Sequence, residues 1–360
     1  MKFLDKIIIR KILKQESGVK KLETILNFLK KNFPIFSPDV EKYLKLYREL
    51  ELYKIEAAVA ELTNKCDLDC KFCSRNKENN LDFNLFKSLT LENNQLGNPI
   101  KSFELGGMGN PLLYPKIKEV LKLLHRFNQR IIVITNGLNL KEIISYFDDL
   151  ILQNVQFCLY LDSSNQEKND YLMGRKVFNK TLESIGYLLD RKLKYSIFMR
   201  TNSQNFKEIE EMLEISKYYR CSLFVPMEVF PLGRTAEEFL LDKEAKAEVI
   251  KTIDKLREAG EQILKNIHFE SPENNCSYLR KKRLFINSQG KLSFCHFLSS
   301  LKMTEIVDIK GKSLIELIKI DNEIRDAFLK KKEENLGVPE FKKTITSPCN
   351  YCLGYYGFKS

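Results

Sequence analysis

The chain of 360 residues contains no uninterrupted apolar run of the roughly 20 residues that a membrane span requires. Its opening stretch, MKFLDKIIIRKILKQ, places a charge every few positions and so lacks the unbroken apolar core of a secretory signal. Histidine is scarce, with 3 in all, and neither His125, His268 nor His296 belongs to a Ser-His-Asp arrangement. No glycine-rich loop ends in the Lys-Ser or Lys-Thr of a nucleotide-binding P-loop. Internal repeats and low-complexity segments are absent as well. These absences argue against a secreted or membrane-spanning chain, a histidine-based hydrolase and a P-loop NTPase. The expectation is a cytoplasmic protein.

Cysteine, by contrast, is plentiful, at 9 residues. In a reducing compartment clustered thiols bind metal or do redox work, which puts a disulfide framework last among their uses. The stretch ELTNKCDLDCKFCSRN crowds Cys66, Cys70 and Cys73 together. Cys276, Cys295, Cys349 and Cys352 fall in the last third of the chain. The formal net charge is +11, and residues 1–50 hold 12 Lys/Arg against 6 Asp/Glu, so over half of the excess sits at one end. A lysine-rich helical surface explains this better than a nucleic-acid patch. KKLETILNFLKKNF has helical apolar spacing, and residues 1–52 are expected to be a helical extension laid on the main body.

Six short β-rich runs, at 55–62, 101–107, 130–135, 154–162, 194–200 and 222–230, alternate with segments of helical period such as YPKIKEVLKLLHRF and NFKEIEEMLEISKYY. The alternation predicts an α/β fold with a parallel sheet over 53–235 and helices packed outside, open or curled into a barrel. In such folds the chemistry sits at the C-terminal ends of the strands. The cysteine triplet follows the first strand and GGMGNP the second, so both belong on that rim. A charged linking helix is expected over 236–268. Within 269–360, RLFIN and KLSFC flank a Ser-Gln-Gly turn and read as a hairpin in a second metal-binding module.

A structural zinc wants four ligands, usually in paired C-x2-C units. Three thiolates on one loop suit three irons of a cubane cluster and leave the fourth iron open. The spacing C-x3-C-x2-C, with Phe72 before the last cysteine, resembles the radical S-adenosylmethionine (radical SAM) superfamily. The resemblance implies a partial (β/α)6 barrel and a [4Fe–4S] cluster on Cys66, Cys70 and Cys73. It also implies S-adenosylmethionine on the open iron, cleaved by one electron to a 5′-deoxyadenosyl radical. LGGMGNPLLYP resembles the family's Gly-Glu-Pro element, so Gly106, Gly107, Gly109 and Asn110, with Phe72, are expected to form the cofactor bed. Glycine suits a place where backbone approaches a ligand. Asn110 stands where the family more often has a glutamate that meets the methionine amino group. ITNGLNL resembles the third-strand Thr-Asn-Gly, and in FCLYLDSS Asp162 matches the family's Ser-x-Asp-Gly, with Cys158 and Tyr160 on the same face. Arg200 and Asn202 are placed on the fifth strand to hold the cofactor's carboxylate or ribose.

Cys276, Cys295 and the pair Cys349-x2-Cys352 resemble the Twitch module, the shortened SPASM extension that holds one auxiliary [4Fe–4S] cluster. A four-cysteine zinc knuckle is the alternative for this module, and a non-catalytic zinc-stabilised binding protein the alternative for the whole chain. His296, beside Cys295, reads as a hairpin residue. The resemblance implies an electron donor of flavodoxin or ferredoxin type and a substrate hydrogen abstracted by the radical. Residues 1–52 lack the strands of a winged-helix leader binder, which favours oxidation of a carbohydrate-like small molecule over a peptide-modifying or RNA-modifying role. Should the reaction be an epimerisation, Cys158 and then Cys221 would be the hydrogen donors to test.

Overall fold

The structure, a computed structural model, describes residues 55–73, 78–229, 237–264, 276–296 and 305–336. The helical extension expected over residues 1–52 and the pair Cys349 and Cys352 lie outside the described residues. So does His268.

Six strands run parallel in simple order: β1 (Ala57–Ala60), β2 (Ser102–Leu105), β3 (Arg130–Thr135), β4 (Val155–Tyr160), β5 (Lys194–Thr201) and β6 (Phe224–Glu228). Helices connect them, among them α1 (Phe83–Gln95), α2 (Ile117–Arg126), α3 (Leu140–Ile144), α4 (Asp149–Leu152), α5 (Gln166–Met173), α6 (Phe178–Asp190) and α7 (Ile209–Tyr218). Helix starts follow side-chain capping where the sequence offers it: Asp82 caps α1 and Asn165 caps α5.

The period of two along each strand separates two environments. Ala58, Phe103, Val133, Phe157 and Ile197 point outwards into one core with Leu121, Leu124, Leu188 and Met212 of the helices. The register places Glu104 beside Ile132, Cys158 beside Ser196 and Tyr160 beside Phe198 on the opposite, more polar face. That face is curled. In a flat sheet β1 and β6 would stand about 24 Å apart at the usual strand spacing. Yet Cys66 after β1 and Met227 on β6 line one cavity.

Beyond β6 the expected linking helix is a turn of 3-10 helix at Glu237–Phe239 and α8 (Lys243–Glu258), capped by Asp242. Ala245, Val249 and Ile253 of α8 join the main core, so α8 is part of the barrel's outer layer. The expected hairpin is present as β7 (Arg283–Ile286) and β8 (Lys291–Ser293), followed by β9 (Glu305–Asp308). It does not stand apart, because β7 pairs parallel with β1 and extends the barrel sheet to nine strands in the order β6-β5-β4-β3-β2-β1-β7-β8-β9. The last described element is α9 (Leu314–Leu336). No helix among the described residues is long and apolar enough to cross a membrane.

Candidate active site

The loop after β1 is tied down before it reaches the cysteines. Thr63 Oγ1 donates to Asn79 O, and Asn64 Oδ1 accepts from Asn79 N. Beyond it, Leu68 packs with Met173 and Val177, while Phe72 packs with Leu172, Val229 and Phe239. These two apolar anchors hold the intervening polar residues at the rim. Gly174 ends α5 with a φ of +67°, and a Cβ there would strike Asp69 O, so only glycine lets the cysteine loop lie against that helix end. Nothing in the cysteine spacing signals this requirement.

Cys66, Cys70 and Cys73 line a cavity of about 170 Å³ together with Phe72, Gly107, Gly109, Asn110, Tyr160, Arg200, Met227 and His296. Among the described residues, no three cysteine, histidine or carboxylate side chains converge on a point as ligands of a single ion would. Thiolates of a cubane bind different irons and need no such point. Three thiols around one cavity are a donor set that suits three irons of a cubane.

The glycine-rich loop meets the cysteine loop directly. A Cβ at Gly109 would stand 2.5 Å from both Asn64 Cα and Thr63 O, and one at Gly107 would meet the Glu61 side chain. The packing of one rim loop on the other thus requires these glycines, a reason additional to the ligand approach expected. Gly106 lies deeper, with its Cβ position 3.1 Å from Ile134 Cβ, and is not in the cavity wall. Glu61, which sequence reasoning missed, joins three segments. Its Oε2 accepts from Met108 N at 2.8 Å, and its Oε1 accepts from Ser288 N and Oγ at 3.2 and 2.7 Å. It is buried, and it links the glycine-rich loop to the β7–β8 turn.

Asn110 lies in the cavity wall but is not free to receive an ammonium. Its Oδ1 accepts from Leu112 N at 3.2 Å and Thr135 Oγ1 at 2.8 Å, capping the 3-10 turn Pro111–Leu113. Arg200 faces the cavity, stacked on the rings of Phe72 and Tyr160 at 4.8 and 4.6 Å. Burial opposes its charge, but Asp162 and Cys70 hold its pKa well above the ordinary value. Burial pushes the Cys70 thiol up to about 11 against the pull of Arg200.

Asp162 and Asn202, expected to touch the cofactor, do not line the cavity. Asp162 is fully buried beneath Arg200, and Asn202 spends its side chain on the turn after β5, accepting from Gln204 N and donating to Arg200 O. Cys158 is buried one step below Tyr160, outside the cavity wall, and burial raises its thiol to about 12. Cys221 precedes β6 and therefore sits at the end of the barrel away from the cysteine loop, where Ser216 Oγ is its neighbour.

Cys276 and Cys295 both pack against Val59, Tyr278 and Phe285 beside β7. Arg325 of α9 is fully buried next to them, paired with Asp321 at 2.7 Å and donating to Phe294 O. Its Nη1 has no hydrogen-bond partner among the described residues. A buried guanidinium with an idle donor beside two thiols fits an anionic sulfur-rich group. Tyr278 links this corner to the cavity through a 2.8 Å hydrogen bond to His296 Nδ1, so His296 is more than a plain hairpin residue.

The chain is similar to several known proteins. The family model described as the radical SAM superfamily matches residues 60–215. The subtilosin biosynthesis protein AlbA of Bacillus subtilis, named for an antilisterial bacteriocin, is 26% identical over 166 residues, or 44% of this chain. The match spans 36% of AlbA's own length, about a third of that protein. The crystal structure of Streptococcus suis SuiB bound to the precursor peptide SuiA superposes with a TM-score of 0.65 at 16% identity, covering 80% of this chain and 70% of SuiB. The structure of anSMEcpe with bound AdoMet and the Cp18Cys peptide gives a TM-score of 0.57 at 13% identity, covering 74% of this chain and 81% of that one.

Proposed function

Through residues 60–215 this chain belongs to the radical SAM superfamily, and on that premise we propose that it is a peptide-modifying radical SAM enzyme. The family works through a [4Fe–4S] cluster and S-adenosylmethionine, which together supply a 5′-deoxyadenosyl radical. The observation that carries the assignment to this chain's residues is the shared cavity of Cys66, Cys70 and Cys73 with the glycine-rich loop and Arg200. Cys66, Cys70 and Cys73 would hold the cluster. Gly107, Gly109 and Arg200 would shape the cofactor bed, with Asp162 orienting Arg200. The curled polar face below would keep water from the reacting carbon.

The carbohydrate substrate expected from the sequence gives way to a peptide. Support comes from the likeness to a structure holding a precursor peptide and to a protein of bacteriocin biosynthesis. Cys276 and Cys295, with Cys349 and Cys352, would carry an auxiliary cluster. Arg325 would donate its idle N–H to that cluster, which would serve as an electron relay. The test is anaerobic reconstitution with iron and sulfide, followed by incubation with S-adenosylmethionine, a reductant and a synthetic candidate peptide. Formation of 5′-deoxyadenosine with loss of two hydrogens from the peptide supports an oxidative peptide reaction. Cofactor cleavage that leaves peptide mass and stereochemistry unchanged would exclude that peptide.

A further inference from the structure

Arg200 reaches from β5 to the cysteine loop and is held in place by its surroundings. Its Nε donates to both oxygens of Asp162 at 3.1 Å, and Nη2 donates to Oδ2 at 2.5 Å. The Asp162 carboxylate is fully buried and is itself fixed by the backbone N–H of Arg200 at 2.9 Å. The guanidinium also packs on the rings of Phe72 and Tyr160, with centroids at 4.8 and 4.6 Å. Phe72 belongs to the cysteine loop itself, so the stacking ties the guanidinium to that loop while Asp162 ties it to the strands. The remaining arm, Nη1, lies 3.3 Å from Cys70 Sγ. A planar fork clamped on a carboxylate and on two rings keeps that donor aimed at the sulfur.

Asp162 offsets the charge of Arg200, so the pair as a whole adds little net field at the loop. What stays directed at Cys70 is an oriented N–H. On the radical SAM reading Cys70 is a ligand thiolate of the [4Fe–4S] cluster, and hydrogen bonds to the sulfurs help set the reduction potential of such a cluster. We propose that Arg200 is a positioning residue that sets the reduction potential of this cluster, its Nη1–H donating to Cys70 Sγ and stabilising the negative charge that one-electron reduction adds. Reduction here breaks no bond and moves no proton. The electron comes from a one-electron reductant such as titanium(III) citrate, which is oxidised to titanium(IV). Sequence reasoning placed Arg200 at the carboxylate or ribose of the cofactor, whereas the geometry gives this arm to a cluster ligand.

The inference rests on the radical SAM reading, and one experiment separates the two. Full-length protein is reconstituted anaerobically with iron and sulfide and titrated with titanium(III) citrate, the reduced cluster being counted by electron paramagnetic resonance. The signal that changes on addition of S-adenosylmethionine belongs to the cluster of Cys66, Cys70 and Cys73. Arg200→Gln is expected to lower the ratio of reduced to oxidised cluster on the order of tenfold at a fixed potential, a shift of about 59 mV to more negative values. Asp162→Asn keeps the donor and leaves its charge uncompensated, so it should shift the potential the opposite way. Both variants disturb the same buried pair, and a purely structural role would shift them alike or not at all. Arg200→Gln with Asp162→Asn removes both charges together and should fold. Having lost the donor, it should stay below the wild-type potential. An Arg200→Gln potential equal to wild type, or shifts of the same sign in the two single variants, overturns the proposal. If Arg200→Gln takes up no cluster, the double variant decides: a lower potential supports the proposal and an unchanged one overturns it. Loss of the cluster in both makes Arg200 a structural holder of the loop and likewise overturns it. A wild-type protein that takes up zinc without sulfide would instead overturn the radical SAM reading.

Discussion

Arg200 holds Cys70 with one arm of its guanidinium and Asp162 with the other. Nη1 lies 3.3 Å from Cys70 Sγ, while Nε and Nη2 fork onto the Asp162 carboxylate at 3.1 and 2.5 Å. The pair spans β5 and the end of β4, so the position of a cysteine in a rim loop is fixed by strands deep in the barrel. Removing the buried carboxylate leaves a buried cation uncompensated. Asp162→Asn is therefore expected to lower stability by about 3 kcal/mol in urea unfolding of the metal-free protein. Arg200→Lys keeps the charge but loses the fork and the stacking on Phe72 and Tyr160, and should lower S-adenosylmethionine affinity more than stability. Equal stability of Asp162→Asn and wild type would show that Arg200 is solvated in another way.

Alanine at Cys66, Cys70 or Cys73 should remove about half of the iron, the share of one cubane of two, and abolish formation of 5′-deoxyadenosine. Iron quantification and chromatography of the reaction mixture check this. Cleavage that survives in all three variants would remove these cysteines from the site.

Gly109→Ala forces a Cβ to within 2.5 Å of backbone atoms of Asn64 and Thr63, which have nowhere to move without shifting the cysteine loop. It should lose cofactor binding. Gly106→Ala first meets the Ile134 side chain, at 3.1 Å, and should fold, with a cost of about 1 kcal/mol. The contrast is read by S-adenosylmethionine binding and thermal unfolding of the two variants.

Arg325→Met leaves Asp321 buried without its partner and should destabilise by about 3 kcal/mol. Combined with Asp321→Leu, the pair becomes apolar and most of that loss should return. The double variant is the informative one. If the idle Nη1 serves an auxiliary cluster, its iron content or the spectrum of its second cluster changes although the fold is intact. An unchanged spectrum would assign Arg325 a purely structural role.

Cys158 should resist iodoacetamide in the native protein at pH 8, because it is buried and its thiol, raised to about 12 chiefly by burial, stays protonated. Cys158→Ala should leave cofactor cleavage unchanged. Rapid alkylation before unfolding would mean that the polar face opens more widely than the structure shows.

Local chemistry decided what could be read from the chain directly. The alternation of β-branched runs with helical period placed six strands within a residue or two, because side-chain periodicity is a property of adjacent residues. The rim position of both motifs followed from strand direction, and the spacing of Cys66, Cys70 and Cys73 on one loop carried the family resemblance that implies a cluster there. The partners of those residues are another matter. Glu61 meets Ser288 across 227 positions, and Arg200 meets Cys70 across 130. Neither pairing leaves a local pattern, since each exists only once the sheet has curled and β7 has docked on β1. Asp162 meets Arg200 across 38 positions, whereas Asn202 is held by a turn of its own neighbours. Asp67, an unremarked residue between a cysteine and a leucine, likewise becomes the hub of three asparagines drawn from two other loops only once those loops meet at the rim.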